Sequence, residues 1–250
     1  MNRLWSWRQG YALPALLALV LLALAIGMPA LEPLFHWMFP QQERAVYRQE
    51  PFVTLLLSHC LLVLVSSGVA LAIALLAGTW VTRPSGRNFR PVVESLVSMG
   101  QTFPPIAVLA IAVPLIGFGE RPAYVALALY GLLPMLQGVI AGFELTPAAT
   151  VDAARGLGLS DRQIFWRVEL PLAAPVILAG VRTSVTINIG TAAIASTVGA
   201  QNLGSPIIIG LSGFNTAYVL QGAVLTGLLA VTVDTLFERI ASSLQRWKRT

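Results

Sequence analysis

Cysteine and lysine each occur once in this chain, at Cys60 and Lys248, and histidine occurs twice, at His36 and His59. One cysteine excludes an intrachain disulfide and leaves the redox compartment unread. The single lysine stands near the C-terminus, outside any Gly-x-x-x-x-Gly-Lys-[Ser/Thr] pattern, so the chain lacks the phosphate loop of an ATPase. Charge is also scarce. Asp, Glu, Lys and Arg make up 11% of the residues, against about a quarter in an ordinary soluble domain. No internal repeat and no low-complexity linker divides the sequence.

Apolar residues take the place of charge. They form 56% of the 250 residues, and mean hydropathy is +0.75. A helix of roughly 20 apolar residues crosses the ~30 Å of hydrocarbon in a bilayer. Six runs have that length, at 11–31, 52–81, 92–116, 123–143, 175–198 and 217–237. The second is long enough to tilt or protrude, and the third and fifth carry polar residues and helix breakers. The fold class expected is an all-α membrane protein with about six transmembrane helices. Residues 1–51 are a first span and external loop, 52–240 a transmembrane core containing a polar loop at 144–174, and 241–250 a basic tail. The N-terminal apolar run, about 20 residues, exceeds the roughly 7–15 of a cleaved signal and reads as an uncleaved span.

Positive charge orients the spans, because Lys and Arg favour the cytoplasmic side. Thirteen of the sixteen fall on one side: Arg3, Arg8, Arg83, Arg87, Arg90, Arg155, Arg162, Arg167, Arg182, Arg239, Arg246, Lys248 and Arg249. Arg44, Arg48 and Arg121 fall on the other. Both termini are therefore expected in the cytoplasm, as an even number of spans requires. The net charge of +5 and the pI of about 10.0 express this asymmetry and are no sign of a nucleic-acid partner. Glu94, Arg182 and Asp234 lie near cytoplasmic span ends, placed for snorkelling or for an ion pair of Arg182 with one of the acids. The tail Arg246-Trp-Lys-Arg249 reads as a positive-inside anchor.

The longest polar segment on the cytoplasmic side is 144–174. Thr146-Pro147 reads as an N-cap followed by proline at the first helical position. Ser160-Asp-Arg-Gln163 reads as a capping box. Gly158, between them, suits a left-handed C-terminal cap. Two short helices meeting at a glycine are expected, the second ending before Pro171. Leu157, Leu159, Ile164, Phe165 and Val168 give this elbow an apolar side. The segment fits either a rigid knob or an amphipathic loop lying on the bilayer, and the paired caps favour the knob.

The spaced pattern Asp152-Ala153-Ala154-x-x-x-Gly158, nine further residues, then Val168-x-Leu170-Pro171 resembles the EAA loop of ABC importer permeases. Asp stands for the usual Glu and Val for Ile, with the spacing intact. The resemblance implies a MetI-like ABC permease fold in a bacterial inner membrane. It also implies that the loop inserts into a cleft of a separate ATP-binding subunit. Asp152 would cap or pair with a basic group there, Ala153 and Ala154 would allow close approach, Gly158 would set the bend, and Leu170-Pro171 would end the elbow. The implied partners are the ATP-binding subunits, a second permease subunit of the same or homologous sequence, a periplasmic solute-binding protein and the lipid bilayer. The chain itself would perform no chemistry and need no cofactor or metal.

Other segments resemble the osmoprotectant branch of that family, the permeases for glycine betaine, choline or carnitine. Gly100-Gln-Thr-Phe-Pro-Pro105 resembles their Gly-Gln-Thr-[Ile/Phe]-Pro segment. Thr191–Ala200 with Leu203-Gly204 resembles their small-residue fifth span. Thr82-Arg-Pro and the run from Gly190 to Asn215 are similar, more narrowly, to the YehW/OsmW type. The alternative is a permease of the same kind for another small solute, of the amino acid or sulfonate class.

The residues add a physical reading. Pro104-Pro105 interrupts the third span and frees backbone carbonyls at depth, which is tolerated where protein or a water-filled cavity receives them. Gln101 and Thr102 lie beside that break, and Asn188 lies among the polar residues of the fifth span. These three are expected to line or gate a translocation path, or else to bond helix to helix. No compact aromatic cluster suggests a cation cage, so a separate binding protein would supply affinity. Trp37, Tyr47, Tyr124 and Trp166 read as interfacial anchors. Two other functions fit less well. Gly210-Leu-Ser212-Gly213 matches the rhomboid-protease Gly-x-Ser-Gly, but no histidine follows His59 to act as base. An ion-driven carrier needs coupling groups at mid-membrane, whereas the acids here cluster at span ends.

Overall fold

The computed structural model describes residues 2–244, and the basic tail Arg246–Arg249 lies outside them. The described residues form helices and no strand. The first apolar run becomes α1, Asn2–Gly27, a 3₁₀ turn at Met28–Leu31 and α2, Glu32–Met38. The second is α3, Phe52–Val81, with the limits expected from its apolar run. Its 30 residues extend about 45 Å, beyond the ~30 Å of hydrocarbon.

The third run is not one helix. It divides into α4, Arg90–Thr102, and α5, Pro105–Ile116. Phe103 and Pro104 between them are extended, with ψ of 127° and 138°. Two consecutive prolines withdraw two N–H donors, and each disfavours helical geometry in the residue before it. The remaining helices are α6, Glu120–Glu144; α7, Ala148–Gly156; α8, Asp161–Ile164; α9, Leu170–Ala192; α10, Ser205–Ser212; and α11, Thr216–Leu244. Among the described residues five helical stretches are long and apolar enough to cross a membrane, and six if the broken α4–α5 pair counts as one.

The chain divides into two compact units. One comprises the segments up to Ser66, Pro104–Leu127 and Thr186–Leu236. Here the loop before α3 is stitched to α11 by side chains. Gln221 accepts the Tyr47 N–H at 3.0 Å and donates to the Ala45 carbonyl at 2.7 Å, and Asn215 donates to the Arg44 carbonyl at 2.8 Å. Tyr47 is 3% exposed, so it is no interfacial anchor. Its ring makes edge contacts with Phe52 and Tyr218, at 5.8 and 5.5 Å between centroids. Burial, then the Glu50 carboxylate, pushes its hydroxyl pKa up. This aromatic cluster is assembled by the fold from three sequence positions, which is why no local run announced it. In the same unit Asn202 donates to the carbonyls of Ala192 and Ala200 and accepts from the Gly204 N–H and Ser196 hydroxyl. One side chain thus serves the backbone where α9 tightens into a 3₁₀ turn at Ala193–Val198.

The second unit comprises Ser67–Phe103, Ala128–Val185 and the stretch from Phe237 onward. Its core gathers Ala70, Ala74 and Val81 of α3, Leu132, Met135, Leu136, Val139 and Ile140 of α6, and Ala173 and Ile177 of α9. The helices meet at glycines. A Cβ on Gly78 would lie 2.6 Å from Val139, and one on Gly180 would lie 2.6 Å from the Pro134 carbonyl oxygen and 3.1 Å from the Gly138 Cα. Close backbone approach of this kind is how helices associate where burial from water gives no drive. Arg182 reaches Glu238 at 3.9 Å, while Glu94 is held by Arg90 at 3.0 Å.

Gly180→Ala forces backbone against backbone and is expected to destabilise the protein by about 1–3 kcal/mol, as overpacking does. Gly227→Ala, in a helix interior where an added Cβ meets nothing within 4 Å, should be neutral or gain about 0.5–1 kcal/mol. Thermal unfolding of the two variants in detergent checks the contrast.

Candidate functional site

The elbow forms from local signals. Pro147 is extended, with ψ of 127°, and occupies the N-cap of α7. The helix therefore starts one residue later than Thr146-Pro147 suggested, and the Thr146 hydroxyl turns back toward the Gly142 carbonyl, 3.5 Å away. At the other end Gly158 has φ of +81°. The Leu159 N–H bonds the Ala154 carbonyl at 3.2 Å and the Gly158 N–H bonds that of Arg155 at 3.0 Å. These are the two bonds of a Schellman cap, with glycine in the left-handed position. The capping box also forms. Ser160 accepts from the Gln163 N–H at 3.4 Å, and the Gln163 side chain accepts from the Ser160 N–H at 2.9 Å.

Beyond this point the chain departs from expectation. The second arm does not end before Pro171. It passes through a π-helical turn, Phe165–Glu169, where the Leu170 N–H bonds the Phe165 carbonyl, and continues as α9 to Ala192. Pro171 has no N–H to offer the Arg167 carbonyl, and its ring would press on that group in a regular α-helix. The wider turn just before it relieves the conflict. Leu170-Pro171 is thus a joint through which the elbow runs into the fifth span, and Leu170 packs on the core of its unit.

The two alanines separate in role. Ala154 is buried and packs inward, while Ala153 and Asp152 are exposed. Of the pair, only Ala153 presents its methyl group at the surface. Ile164 is buried and Phe165 packs inward, but Leu157, beside the glycine turn, is 81% exposed. Arg155 spans the two arms, 3.4 Å from Asp152 and 3.6 Å from Asp161. All three side chains are exposed, so each contact contributes about 0–1 kcal/mol.

A stronger tie holds the end of the elbow. The Arg83 guanidinium donates twice to Glu169, from Nη1 to Oε1 at 2.8 Å and from Nη2 to Oε2 at 2.7 Å. It also lies 5.4 and 5.5 Å from the ring centroids of Phe143 and Phe165, which stack 5.7 Å apart. The Glu169 side chain is 14% exposed and that of Arg83 34%, so water screens this pair far less than the Arg155 pairs. Hydrogen bonds to charged groups contribute about 1.5–3 kcal/mol, and planar bidentate geometry with stacking is specific to arginine. The start of the elbow is tied as well, by Arg90 donating to Glu144. From sequence, Arg90 stands out only as a topology charge, and Arg83 as a topology charge within Thr82-Arg-Pro. The pairs span 86 and 54 residues, and no local pattern joins positions so far apart. The available signal was that Glu144 and Glu169 are the acids at the two ends of the elbow.

The residues expected to line a path are placed as follows. Gln101 donates to the Tyr130 carbonyl at 2.7 Å, bonding α4 to α6. Thr102 is exposed at the end of α4 and donates to the Met99 carbonyl at 2.7 Å. Asn188 is fully buried within α9. Next to it, the Ile189 carbonyl accepts a hydrogen bond at 3.0 Å from His59 Nε2, which must therefore carry the proton. Gln101 and Thr102 stand together, and Asn188 belongs to the other compact unit.

Ser160→Ala removes a cap bond worth about 0.5–2 kcal/mol. Gly158→Val demands a left-handed conformation that costs about 1–2 kcal/mol for a residue bearing a Cβ. Faster amide exchange at 157–165 is expected in both variants, with exchange in α3 unchanged.

Comparison with known proteins agrees with this geometry. The family described as "Binding-protein-dependent transport system inner membrane component" matches residues 70–247. The osmoprotectant import permease protein OsmY of Salmonella typhimurium is 36% identical over 227 residues, covering 91% of this chain and 90% of that protein. OsmW of the same organism is 33% identical over 192 residues, covering 75% and 88%. The choline transport system permease protein OpuBB of Bacillus subtilis is 38% identical over 168 residues, covering 65% and 77%. An inward-facing crystal form of the MetNI methionine ABC transporter superposes with a TM-score of 0.68 at 24% identity, over 80% of this chain and 100% of that one, which shows the fold. The elbow, the broken third span and these matches agree: the chain belongs to the binding-protein-dependent inner membrane component family, the multi-pass permease subunits of ABC importers, which move solute without catalysing a reaction and work with ATP-binding subunits.

Proposed function

We propose that this permease imports a quaternary-ammonium osmoprotectant, such as glycine betaine, choline or carnitine, across a bacterial inner membrane. The agreement of several relatives on that solute class carries the reading. OsmY, OsmW and OpuBB, with the Listeria monocytogenes carnitine transport permease protein OpuCB at 36% identity, are all named for osmoprotectants, choline or carnitine. The charge distribution supports cytoplasmic termini and an elbow on the cytoplasmic side, since thirteen of sixteen Lys and Arg then lie inside. An exposed Leu157 at the tip of a capped, glycine-set knob suits insertion into a cleft of an ATP-binding subunit. Asp152 and Ala153, on α7, are exposed as well.

The mechanism proposed is alternating access. Two permease subunits, identical or homologous, enclose the path. A binding protein delivers the solute from outside, and two ATP-binding subunits move the elbows as they close on ATP. Gln101 and Thr102 at the break after α4, with Asn188 in α9, line or gate the path.

Uptake of labelled glycine betaine by cells expressing this chain with its partner subunits tests the substrate. Energy-dependent uptake that disappears on deletion is expected, and equal uptake with and without the chain at high and low salt contradicts the solute class. Gly158→Val should lower uptake about tenfold while the ATP-binding subunit still co-purifies, a size within the roughly 5–150-fold of ordinary coupling free energies. Asn188→Leu should lower uptake in a normally assembled complex, and unaltered uptake removes Asn188 from the path.

A further inference from the structure

The eight-residue loop from Arg83 to Arg90 touches both ends of the elbow. Arg83 holds Glu169 at its end, and Arg90 holds Glu144 at its start. The loop has little slack. The Gly86 and Arg87 N–H groups both bond the Arg83 carbonyl at 3.0 Å, and the Trp80 and Phe89 rings stack 5.3 Å apart across the turn. A Cβ on Gly86 would sit 2.3 Å from the Trp80 carbonyl oxygen, so the turn is closed to the limit of backbone contact. Arg90 is also the first residue of α4, where its Nε bonds Glu94 at 3.0 Å. The 13 residues of α4 run about 20 Å to Gln101 and Thr102. Elbow, loop, α4 and the end of α3 all belong to one compact unit.

We infer that this arginine loop is the receiving half of the coupling element: the Arg83–Glu169 and Arg90–Glu144 ties carry displacement of the elbow into α3 and α4, and so to the end of α4 at Gln101 and Thr102. The inference rests on the reading of the elbow as the ATPase contact. The elbow is joined covalently only to α6 and to α9, so without the two ties α4 would receive its movement only through apolar packing and, at its far end, through the Gln101 bond to the Tyr130 carbonyl of α6. Apolar packing yields by sliding, whereas a bidentate pair fixes distance and angle together. Arg83 and Arg90 are positioning residues in this account and contact neither solute nor nucleotide.

The test uses the complete importer in lipid nanodiscs, with its ATP-binding subunit and binding protein. Three quantities are read: co-purification of the ATP-binding subunit, ATP hydrolysed, and solute moved per ATP. Arg83→Gln and Glu169→Gln should each retain the ATP-binding subunit and lower solute moved per ATP about tenfold, within the roughly 5–150-fold of coupling free energies. The double variant should be no worse than either single one, because both remove the same link. Arg83→Lys keeps the charge but loses the bidentate fork and the ring contacts, so it should recover only part of the coupling. Arg83→Glu with Glu169→Arg should recover more than either reversal alone. Unchanged solute per ATP in both single variants, or losses that multiply in the double variant, overturn the clasp. Failure of the underlying elbow reading shows differently, as normal coupling in Gly158→Val, in which both ties are intact.

Discussion

Peptide groups inside hydrocarbon have no water to bond with, so each place where a membrane helix breaks must find partners within the protein. That constraint organises this chain. At the 3₁₀ turn after α9, Asn202 serves two carbonyls and one N–H from a single side chain. One turn earlier, His59 on α3 donates to the Ile189 carbonyl. In α6, Pro134 leaves the Tyr130 carbonyl without its helical N–H, and Gln101 donates to it. Ser184, fully buried, donates to the Gly131 carbonyl at 2.7 Å. Polar residues at depth here therefore satisfy backbone, and any part that Gln101 plays in the path is taken by a side chain already bonded to a neighbouring helix.

Proline geometry shapes the joint between elbow and span. Pro171 would break a regular helix where the elbow runs into α9. The π turn at Phe165–Glu169 absorbs the missing donor, keeps the helix continuous, and places Phe165 against Phe143 and Glu169 against Arg83. A backbone irregularity and a partly buried ion pair thus occur together, each setting the geometry of the other. The contacts at the exposed end of the elbow are weaker by comparison, because water screens them.

Local features were legible from sequence. The limits of α3, the capping box at Ser160 and Gln163 and the left-handed Gly158 follow from hydropathy and near-neighbour chemistry. Errors arose where two local rules competed. Pro104-Pro105 lies within an apolar run that otherwise reads as one span, and Pro171 reads as a stop unless a π turn is foreseen. Tertiary pairings were not legible. Tyr47 looks like a headgroup anchor until Phe52 and Tyr218 are brought to its ring, and Arg83 is one more positive-inside charge until Glu169, 86 residues away, arrives beside it. The alanine pair shows the middle case: the motif was visible, but which alanine faces outward depended on how α7 packs.

In the mechanism proposed above, the elbow is the surface on which an ATP-binding subunit acts. The chain's single cysteine allows a direct measurement. With Cys60→Ser as background, Leu157→Cys carries a maleimide photo-crosslinker, and the importer is assembled with its ATP-binding subunit. Light should join the two subunits from position 157, with a yield that changes when ATP is added. Crosslinks from position 157 only to lipid, in a complex where the ATP-binding subunit is present, would contradict it.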